Sequence, residues 1–388
     1  MGAQDSIPFH TFLWKIASRC NLACSYCYVY NRGDEGWRNQ PKFMTPNVAR
    51  RTAQRMREHL EKHQKQDVSI VFHGGEPMLG GPSQIRELTS VILDTFAGSG
   101  VRVQAGMQSN LTLFDAAMAD TLLALGIPIG VSIDGPPHVN DRYRLDHQGR
   151  GSAAVLEKNL EILTSPTYRP LFSGFLCVID PSTDPIEVTD YLLSFAPPSI
   201  DFLFPLDNHD RLPRGKEGAL RDDTPYADWL IRAFDRWVEA GTKTRIRLFT
   251  SLVQQMCGAD SLFEGIGLGV VDLIVVEANG EIEGVDSLKA AFNGAARLGF
   301  NVFDHHFDEV AEHIAVRSRQ LGVGGLCRTC QECPVVGVCG GGYMPHRYSS
   351  VRGFDNPSVY CTDLSRLIRH INGRLRAELR TVEREACL

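Results

Sequence analysis

The chain has 388 residues, 43% of them hydrophobic, which is enough for one large core and a second small domain. The formal net charge of -6, the pI near 6.1 and the lack of a Lys- or Arg-rich run argue against a protein that binds a nucleic-acid backbone. No apolar stretch approaches the roughly 18 residues of a membrane helix, and the N-terminus lacks signal-peptide order, so we expect a cytoplasmic protein away from membranes.

Short apolar runs alternate with helical patterns over the first half of the chain. Thr45 and Asp115 are typical N-caps, and Gly126 is typical of a helix end. Six strand–helix repeats predict an α/β fold whose parallel sheet forms a partial (β/α)6 TIM-like barrel, because a complete barrel needs eight repeats. The predicted strands are 9–16, 68–73, 101–108, 127–133, 172–179 and 200–204.

The second half is organised differently. Residues 270–285 predict a β-hairpin that turns at an Asn-Gly pair. The stretch 327–361 is rich in Cys, Gly and Pro, and we expect a metal rather than regular elements to hold it. Thr362 or Asp363 is expected to cap a long C-terminal helix. The predicted domains are 1–224 as the core, 225–265 as a helical bridge, 266–361 as a metal-binding domain and 362–388 as the C-terminal helix.

The eleven cysteines are the most informative residues. Eight fall in two groups, and in a reducing cytosol grouped thiols more often bind metal or do chemistry than form disulfides. The others, Cys177, Cys257 and Cys387, are isolated. Cys177 lies in an apolar run and is expected to be a buried small hydrophobe, and we interpret the other two in the same way.

The first group, Cys20, Cys24 and Cys27, directly follows the first predicted strand. Three thiolates leave one iron of a cubane cluster without a protein ligand, so that this iron can bind a substrate. A zinc site would need a fourth ligand, and the loop has no further Cys or His beside it. The spacing therefore favours a catalytic cluster over a structural metal knuckle.

Polar motifs follow the next three strands, where parallel α/β folds bind their ligands. Two glycines allow close backbone approach, and the acid after them can pair with an ammonium group. The motifs are Gly74-Gly75-Glu76, Gln108-Ser109-Asn110 and Ser132-Ile133-Asp134-Gly135, with Arg144 shortly after the last.

With Tyr26 inside the cysteine loop, these motifs resemble the radical S-adenosylmethionine (SAM) superfamily. The resemblance implies an oxygen-sensitive 4Fe–4S cluster on Cys20, Cys24 and Cys27 that cleaves SAM. It implies these SAM contacts: Tyr26 at the adenine, Gly74, Gly75 and Glu76 at the amino group, Arg144 at the carboxylate, and Ser109, Asn110 and Ser132 along the ribose and methionine.

The second group resembles the SPASM extension of radical SAM peptide maturases. By that resemblance, one auxiliary 4Fe–4S cluster would be bound by Cys330, Cys333, Cys339 and Cys361. Cys327 is then a spare thiol. Val285 and Tyr343 stand where the extension has cysteines, so we expect no inner auxiliary cluster. A four-thiolate zinc site is the alternative, because its spacing is similar.

Five longer sequence segments resemble those of the cyclophane-forming maturases of the Fxs type. The segments are residues 14–22, 28–31, 71–77, 339–343 and 353–358. The resemblance implies a β-hydrogen abstraction from a ribosomally made precursor peptide, followed by a bond between that β-carbon and an aromatic ring. It also implies a reductant such as flavodoxin or ferredoxin, and an auxiliary cluster that accepts the electron released on rearomatisation. Strand signals begin at Phe9, so we expect the core domains or a partner protein to bind the leader.

Other functions stay open at this point. Another SPASM chemistry, such as formylglycine formation on sulfatases or a thioether crosslink, is the first alternative. A non-catalytic iron–sulfur redox sensor or a zinc-binding interaction protein is the second, and the SAM-binding motifs count against it.

Asp286, at the end of the predicted hairpin, is the candidate catalytic base. Related SPASM enzymes place an acid there, and ring rearomatisation must release a proton. Partial desolvation by bound peptide is expected to raise its pKa toward a useful value. A solvated hairpin-end aspartate is the alternative. Glu283 is a nearby competitor expected on the same hairpin face.

Overall fold

The computed structural model describes residues 7–217, 223–261 and 264–386. Two compact units are present, Met1–Leu176 with Asp272–Arg319, and Cys177–Val271 with Gln320–Leu388. Both are discontinuous in sequence, and the predicted division in chain order stays a prediction. Cys387 lies outside the described residues. In the part of the chain that is described, no helix is long and apolar enough to cross a membrane.

All six strands predicted for the first half are present, as β1 to β6. The strands are β1 (Thr11–Ala17), β2 (Asp67–Gly74), β3 (Arg102–Ser109), β4 (Ile129–Ser132), β5 (Phe172–Val178), β6 (Ser199–Leu203), β7 (Arg245–Ile246), β8 (Leu273–Val276), β9 (Glu281–Glu283) and β10 (Arg297–Asn301). The helices are α1 (Pro46–Lys62), α2 (Gly81–Phe96), α3 (Ala116–Leu125), α4 (Pro137–Asn140), α5 (Ala153–Leu163), α6 (Pro185–Ser194), α7 (Pro225–Ala240), α8 (Arg247–Met256), α9 (Phe307–Ala311), α10 (Ile314–Arg317), α11 (Arg328–Gln331), α12 (Val336–Cys339) and α13 (Cys361–Ala386).

The first unit is built on a mainly parallel sheet. Its strand order is β10-β9-β8-β1-β2-β3-β4-β5. Strands β1 to β5 pair in parallel with their neighbours, and β8 pairs in parallel with β1. The predicted hairpin is present as the antiparallel pair of β8 and β9. The carboxyl ends of β1 to β4 therefore lie at one edge, where the polar motifs follow.

Local sequence explains these elements. Six of the seven residues of β1 are buried, as expected for a strand covered on both faces. Thr45 accepts a hydrogen bond from the Val48 amide at 3.3 Å, and Asp115 accepts one from Met118 at 2.8 Å, so both predicted N-caps are confirmed. Gly126 ends α3 in the left-handed conformation.

The second unit packs aromatic side chains between β6, α7 and α8. Phe202 lies 5.0 Å from Trp229 and Phe234 lies 5.3 Å from Phe249, measured between ring centroids in edge-to-face pairs.

The predicted N-cap of the C-terminal helix is wrong. Helix α13 begins at Cys361. The Asp363 carboxylate accepts hydrogen bonds from the amides of Tyr226 and Ala227, both at 3.0 Å, and so caps α7. It also forms a buried ion pair with Lys216. A cap can come from another part of the chain, which local sequence does not reveal.

The expectation of no regular elements in the cysteine-rich stretch is also wrong. Residues 327–361 contain the single-turn helices α11 and α12. Each carries one cysteine of the second group, Cys330 or Cys339. Single helical turns therefore carry two of the four predicted auxiliary ligands.

Candidate functional site

The loop after β1 carries Cys20, Cys24 and Cys27, all half-buried. Burial raises the pKa of each thiol, and that of Cys20 reaches about 12. Cys24 and Cys27 also contribute to the raised pKa of Cys20, so the three thiols are within electrostatic reach of one another. Such thiols lose their protons when they bind a metal.

Gly74 and Gly75 join the end of β2 to the start of the cysteine loop. The Gly75 amide donates to the Ala17 carbonyl at 2.8 Å. A Cβ on Gly74 would lie 2.0 Å from that same oxygen, and a Cβ on Gly75 would lie 2.0 Å from the Tyr30 hydroxyl and 2.3 Å from the Arg19 carbonyl. Only glycine allows the two backbones to come this close.

Gly75→Ala is expected to lower the free energy of unfolding by about 1–3 kcal/mol, because the added methyl overlaps Tyr30 and the Arg19 backbone. Denaturant unfolding measures the loss. Gly373→Ala in α13 is the matched control, since it has open space and alanine favours a helix. An unchanged unfolding midpoint for Gly75→Ala would contradict the close approach.

Glu76 is 1% exposed at the end of β2. Its carboxylate accepts hydrogen bonds from the Met78 amide at 3.0 Å, the Asn110 amide at 2.8 Å and the Ser109 hydroxyl at 2.8 Å. Burial raises the pKa of the Glu76 carboxyl, and these donors oppose the rise. The structure thus places Ser109 behind Glu76 as a group that orients it, while the predicted contact of Ser109 with SAM stays a prediction.

Asn110 connects the end of β3 to the cysteine loop. Its side-chain amide donates to the Asn21 oxygen at 3.0 Å and lies 3.7 Å from the Cys20 sulfur. On the next strand, the Ser132 hydroxyl accepts from Gln108 at 2.9 Å. Two of the predicted SAM-binding residues, Glu76 and Asn110, therefore stand beside the first cysteine.

Tyr26, Asp134 and Arg144 form a second buried set beside the loop. The Tyr26 hydroxyl donates to Asp134 at 2.6 Å and accepts from Arg144 at 2.9 Å. Arg144 is 6% exposed, and its Nε has no hydrogen-bond partner among the described residues. A buried, unsatisfied N–H on a permanent cation fits a carboxylate-bearing ligand such as SAM. Sequence reasoning noted Asp134 only within a strand-end motif.

Asp286 is buried, so the alternative of a solvated aspartate is wrong. Its carboxylate is ion-paired with Lys15 and accepts a hydrogen bond from the Tyr28 hydroxyl at 2.6 Å. Lys15 also contacts His73 Nδ1 at 3.1 Å, and burial together with Lys15 lowers the pKa of His73 to about 3, so that His73 is neutral. Lys15 was missed, although a lone lysine within the apolar run of β1 was a signal.

The expected rise in the Asp286 pKa is also wrong. Burial by itself would raise the pKa of this carboxyl, but the charge of Lys15 and the hydrogen bonds from Lys15 and Tyr28 outweigh burial and hold the pKa below its usual range. Asp286 is an ionised, weak base. Its role in proton removal stays a prediction.

Glu283 has different partners from Asp286. It is buried beside Lys289 at 2.8 Å, and Lys289 also contacts Glu277 at 2.6 Å. Burial and the neighbouring Glu277 raise the pKa of Glu283 to about 8. Glu277, Lys289 and Glu283 thus form one buried charged group. Asp286 does not belong to it, because it pairs with Lys15 on β1.

The four predicted auxiliary ligands line one cavity in the second unit. Cys330, Cys333, Cys339 and Cys361 face it, together with small residues such as Ser358. Cys327 does not line this cavity, although it packs against Cys330. The arrangement fits one cubane with four thiolate ligands and leaves Cys327 beside it.

Iron analysis tests this assignment. Reconstituted protein should hold roughly eight irons, four for each cubane. Cys330→Ala should lose about half of the iron, whereas Cys327→Ala, the matched control, should retain it. Near twelve irons would show that Val285 and Tyr343 do not remove the inner cluster, and zinc in the second unit would contradict the cubane.

A third group of possible metal ligands is His59, His63 and Asp308. His59 is buried, and its Nε2 accepts the Phe9 amide proton at 3.0 Å while Nδ1 faces Asp308 at 2.6 Å. Both ring nitrogens are occupied, so His59 offers no lone pair to a metal. This group is a structural contact between α1 and α9.

Comparisons with known proteins agree with this geometry. Residues 14–185 match the family model described as the Radical SAM superfamily. The chain is 24% identical over 377 residues to the cysteine-type anaerobic sulfatase-maturating enzyme of Clostridium perfringens (strain 13 / Type A), covering 95% of this chain and 97% of that protein. It is 25% identical over 361 residues to the serine-type enzyme of Klebsiella aerogenes, covering 88% and 81%.

The structure is also similar to a solved structure of native anSMEcpe with bound AdoMet and Cp18Cys peptide. The TM-score is 0.80 at 22% identity, over 97% of this chain and 100% of that one. A likeness at this identity concerns the fold, and it confirms the predicted α/β class with a parallel sheet.

Proposed function

From the match of residues 14–185 to the Radical SAM superfamily model, we propose that the chain removes a hydrogen atom from a side-chain β-carbon of a peptide substrate. The observation that carries the proposal is the loop with Cys20, Cys24 and Cys27, beside which lie a buried acid, Glu76, and a buried cation, Arg144. Asn110 joins the Glu76 region to Cys20, and Arg144 lies within electrostatic reach of Cys24.

The residues beside the loop match the chemistry of SAM, which carries one ammonium and one carboxylate. Glu76 is the acceptor for the ammonium, Arg144 Nε is the donor for the carboxylate, and Tyr26 is the surface for the adenine. When bound, a 4Fe–4S cluster and SAM would supply the radical that takes the hydrogen atom. We assign one auxiliary 4Fe–4S cluster to the cavity lined by Cys330, Cys333, Cys339 and Cys361.

The relatives support a peptide as the substrate class. They are named as enzymes that mature sulfatases, and one similar solved structure holds a peptide beside AdoMet. We therefore propose a ribosomally made precursor peptide as the substrate and a flavodoxin- or ferredoxin-type protein as the electron donor. A cytoplasmic location agrees with the many unpaired thiols.

A crosslink between the β-carbon and an aromatic ring is the first candidate product. In this reaction a C–C bond forms, one electron leaves, and the ring carbon loses a proton as aromaticity returns. That proton is strongly acidic, so a weak base suffices. Asp286, a buried carboxylate paired with Lys15 and Tyr28, is the candidate acceptor of that proton. The resemblance of five sequence segments to cyclophane-forming maturases is the support for this product.

Formylglycine is the second candidate product. It is favoured by the relatives, which match most of the chain and are named for sulfatase maturation. Formylglycine formation also begins with loss of the β-hydrogen. Loss of one electron and of the hydroxyl proton then converts serine to the aldehyde, whereas cysteine gives a thioaldehyde that water converts to the aldehyde with release of hydrogen sulfide.

Co-expression with short precursor genes from the same locus distinguishes the products. A crosslink gives a peptide lighter by two hydrogens, with the joined residues protected from fragmentation and no reaction with an aldehyde-specific hydrazide. Formylglycine gives a hydrazide-labelled peptide. The strain with Cys20, Cys24 and Cys27 changed to Ala is the control. An unchanged peptide together with no 5′-deoxyadenosine would overturn the proposed function.

A further inference from the structure

Three consecutive glycines follow Cys339, and all three adopt a left-handed backbone. Their φ angles are +61° at Gly340, +75° at Gly341 and +68° at Gly342. L-residues with side chains avoid this conformation, and a run of three is costly for any other residue type. Gly340 also ends α12.

The turn is fastened to the ligand cysteine through the backbone. The Gly342 amide donates to the Cys339 carbonyl at 3.0 Å, and the Gly340 amide donates to the Val336 carbonyl at 2.7 Å. Gly341 lines the same cavity as the four predicted auxiliary ligands. The turn is therefore part of the wall of the proposed cluster site.

The carbonyls of the same turn are held by one side chain. Arg347 Nε donates to the Gly341 oxygen at 3.0 Å, and Nη2 donates to the oxygens of Gly340 at 2.9 Å and Gly342 at 2.6 Å. A guanidinium suits this task because its donors lie in a rigid fork. Arg347 thereby holds all three carbonyls of the turn.

Close packing leaves the turn no room for side chains. A Cβ on Gly340 would lie 1.8 Å from the Gly267 carbonyl, and one on Gly342 would lie 2.9 Å from Leu364. The backbone of the turn therefore packs closely against its neighbours.

We propose that Arg347 is a positioning residue for the auxiliary cluster. It holds the Gly340–Gly342 turn in the wall of the cluster cavity and places its positive charge beside the cluster, which keeps the reduction potential of the cluster high. The proposal rests on the auxiliary cluster assigned above. A nearby positive charge stabilises the more negative, reduced form of a cluster. Loss of Arg347 removes this charge and releases the turn, so the potential falls.

The test uses protein with Cys20, Cys24 and Cys27 changed to Ala, so that the auxiliary cluster is the one cluster to be titrated. A redox titration followed by electron paramagnetic resonance compares this parent with Arg347→Met. We expect at least a tenfold shift of the reduction equilibrium toward the oxidised form, which is about 59 mV for one electron. Arg328→Met is the matched control, because Arg328 is an exposed arginine of the same segment paired with Glu332.

Iron content is measured first. A parent without auxiliary iron refutes the cluster assignment and the proposal with it. Full iron in Arg347→Met with the parent's potential and spectrum overturns the proposal alone. If Arg347→Met loses its iron, Arg347→Lys is titrated, since it keeps the charge but cannot bind three carbonyls. It should show a smaller downward shift, and an unchanged potential or equal loss of iron would reduce Arg347 to a structural residue.

Discussion

Replacing Cys20, Cys24 and Cys27 together with alanine is expected to abolish formation of 5′-deoxyadenosine from SAM while the protein stays folded. The loop backbone is anchored independently of the thiols, for example by the Ala23 amide, which donates to the Leu145 carbonyl at 2.7 Å. Chromatography of the reduced, anaerobic reaction measures the product, and circular dichroism measures folding.

Cys257→Ala is the matched control for the triple change. Cys257 is exposed, so its expected burial was wrong, and it belongs to neither cysteine group. Its removal should therefore leave SAM cleavage and iron content at the parent's level. Persistent cleavage in the triple variant would remove the radical SAM assignment from this loop.

The second large effect is expected at Asp286. Asp286→Asn should still cleave SAM but should lose modified peptide by roughly 10²-fold or more, because the side chain no longer accepts a proton. The change also leaves the buried ammonium of Lys15 without its ion partner, so a fold measurement accompanies the assay. Mass spectrometry of the peptide and the yield of 5′-deoxyadenosine are compared in the same reaction.

Glu283→Gln is the control that shows whether peptide modification needs Asp286 itself or any buried acid of the hairpin region. Glu283 is likewise buried beside a lysine on the same hairpin, but it is not part of the Asp286 group. It should retain peptide modification. Equal losses in the two variants, or unchanged modification by Asp286→Asn, would return Asp286 to a structural role.

The pH dependence of stability and of peptide modification follows from the lowered pKa of Asp286. The pKa of Asp286 is lower in the folded protein than its usual value of 3.8, so its stabilising effect is present above 3.8 and is lost as the pH falls toward the lowered pKa. Between about pH 5 and 8 the carboxylate stays ionised. Peptide modification should therefore show no acidic limb from Asp286 in that range, and a limb that disappears in Asp286→Asn would contradict the lowered pKa.

Local chemistry explains why the fold was predictable. The buried apolar run of β1, the N-caps Thr45 and Asp115 and the left-handed Gly126 each act within a few residues, and all were confirmed. The Asp363 prediction was wrong because its carboxylate caps α7, 136 residues away along the chain. The turns α11 and α12 depend on the packing of the cysteine-rich segment and have no amphipathic pattern to reveal them.

For the candidate site, too, the sequence predicted the local patterns, and the structure added the contacts between distant residues. The residues and order of both cysteine groups are set by spacing along the chain, and the structure places the four auxiliary thiols on one cavity. Spacing along the chain does not reveal the hydrogen bonds among Tyr26, Asp134 and Arg144, nor those from Arg347 to three carbonyls.

By itself, the sequence determined the class of chemistry, because three thiols in one short loop and a glycine pair before an acid are local patterns. Only the tertiary structure decided how the groups behave. Lys15 lies 271 residues from Asp286 in sequence, yet their contact reverses the expected direction of the Asp286 pKa shift. A pKa depends on burial and on charges close in space, and both exist only after strands distant in sequence have paired.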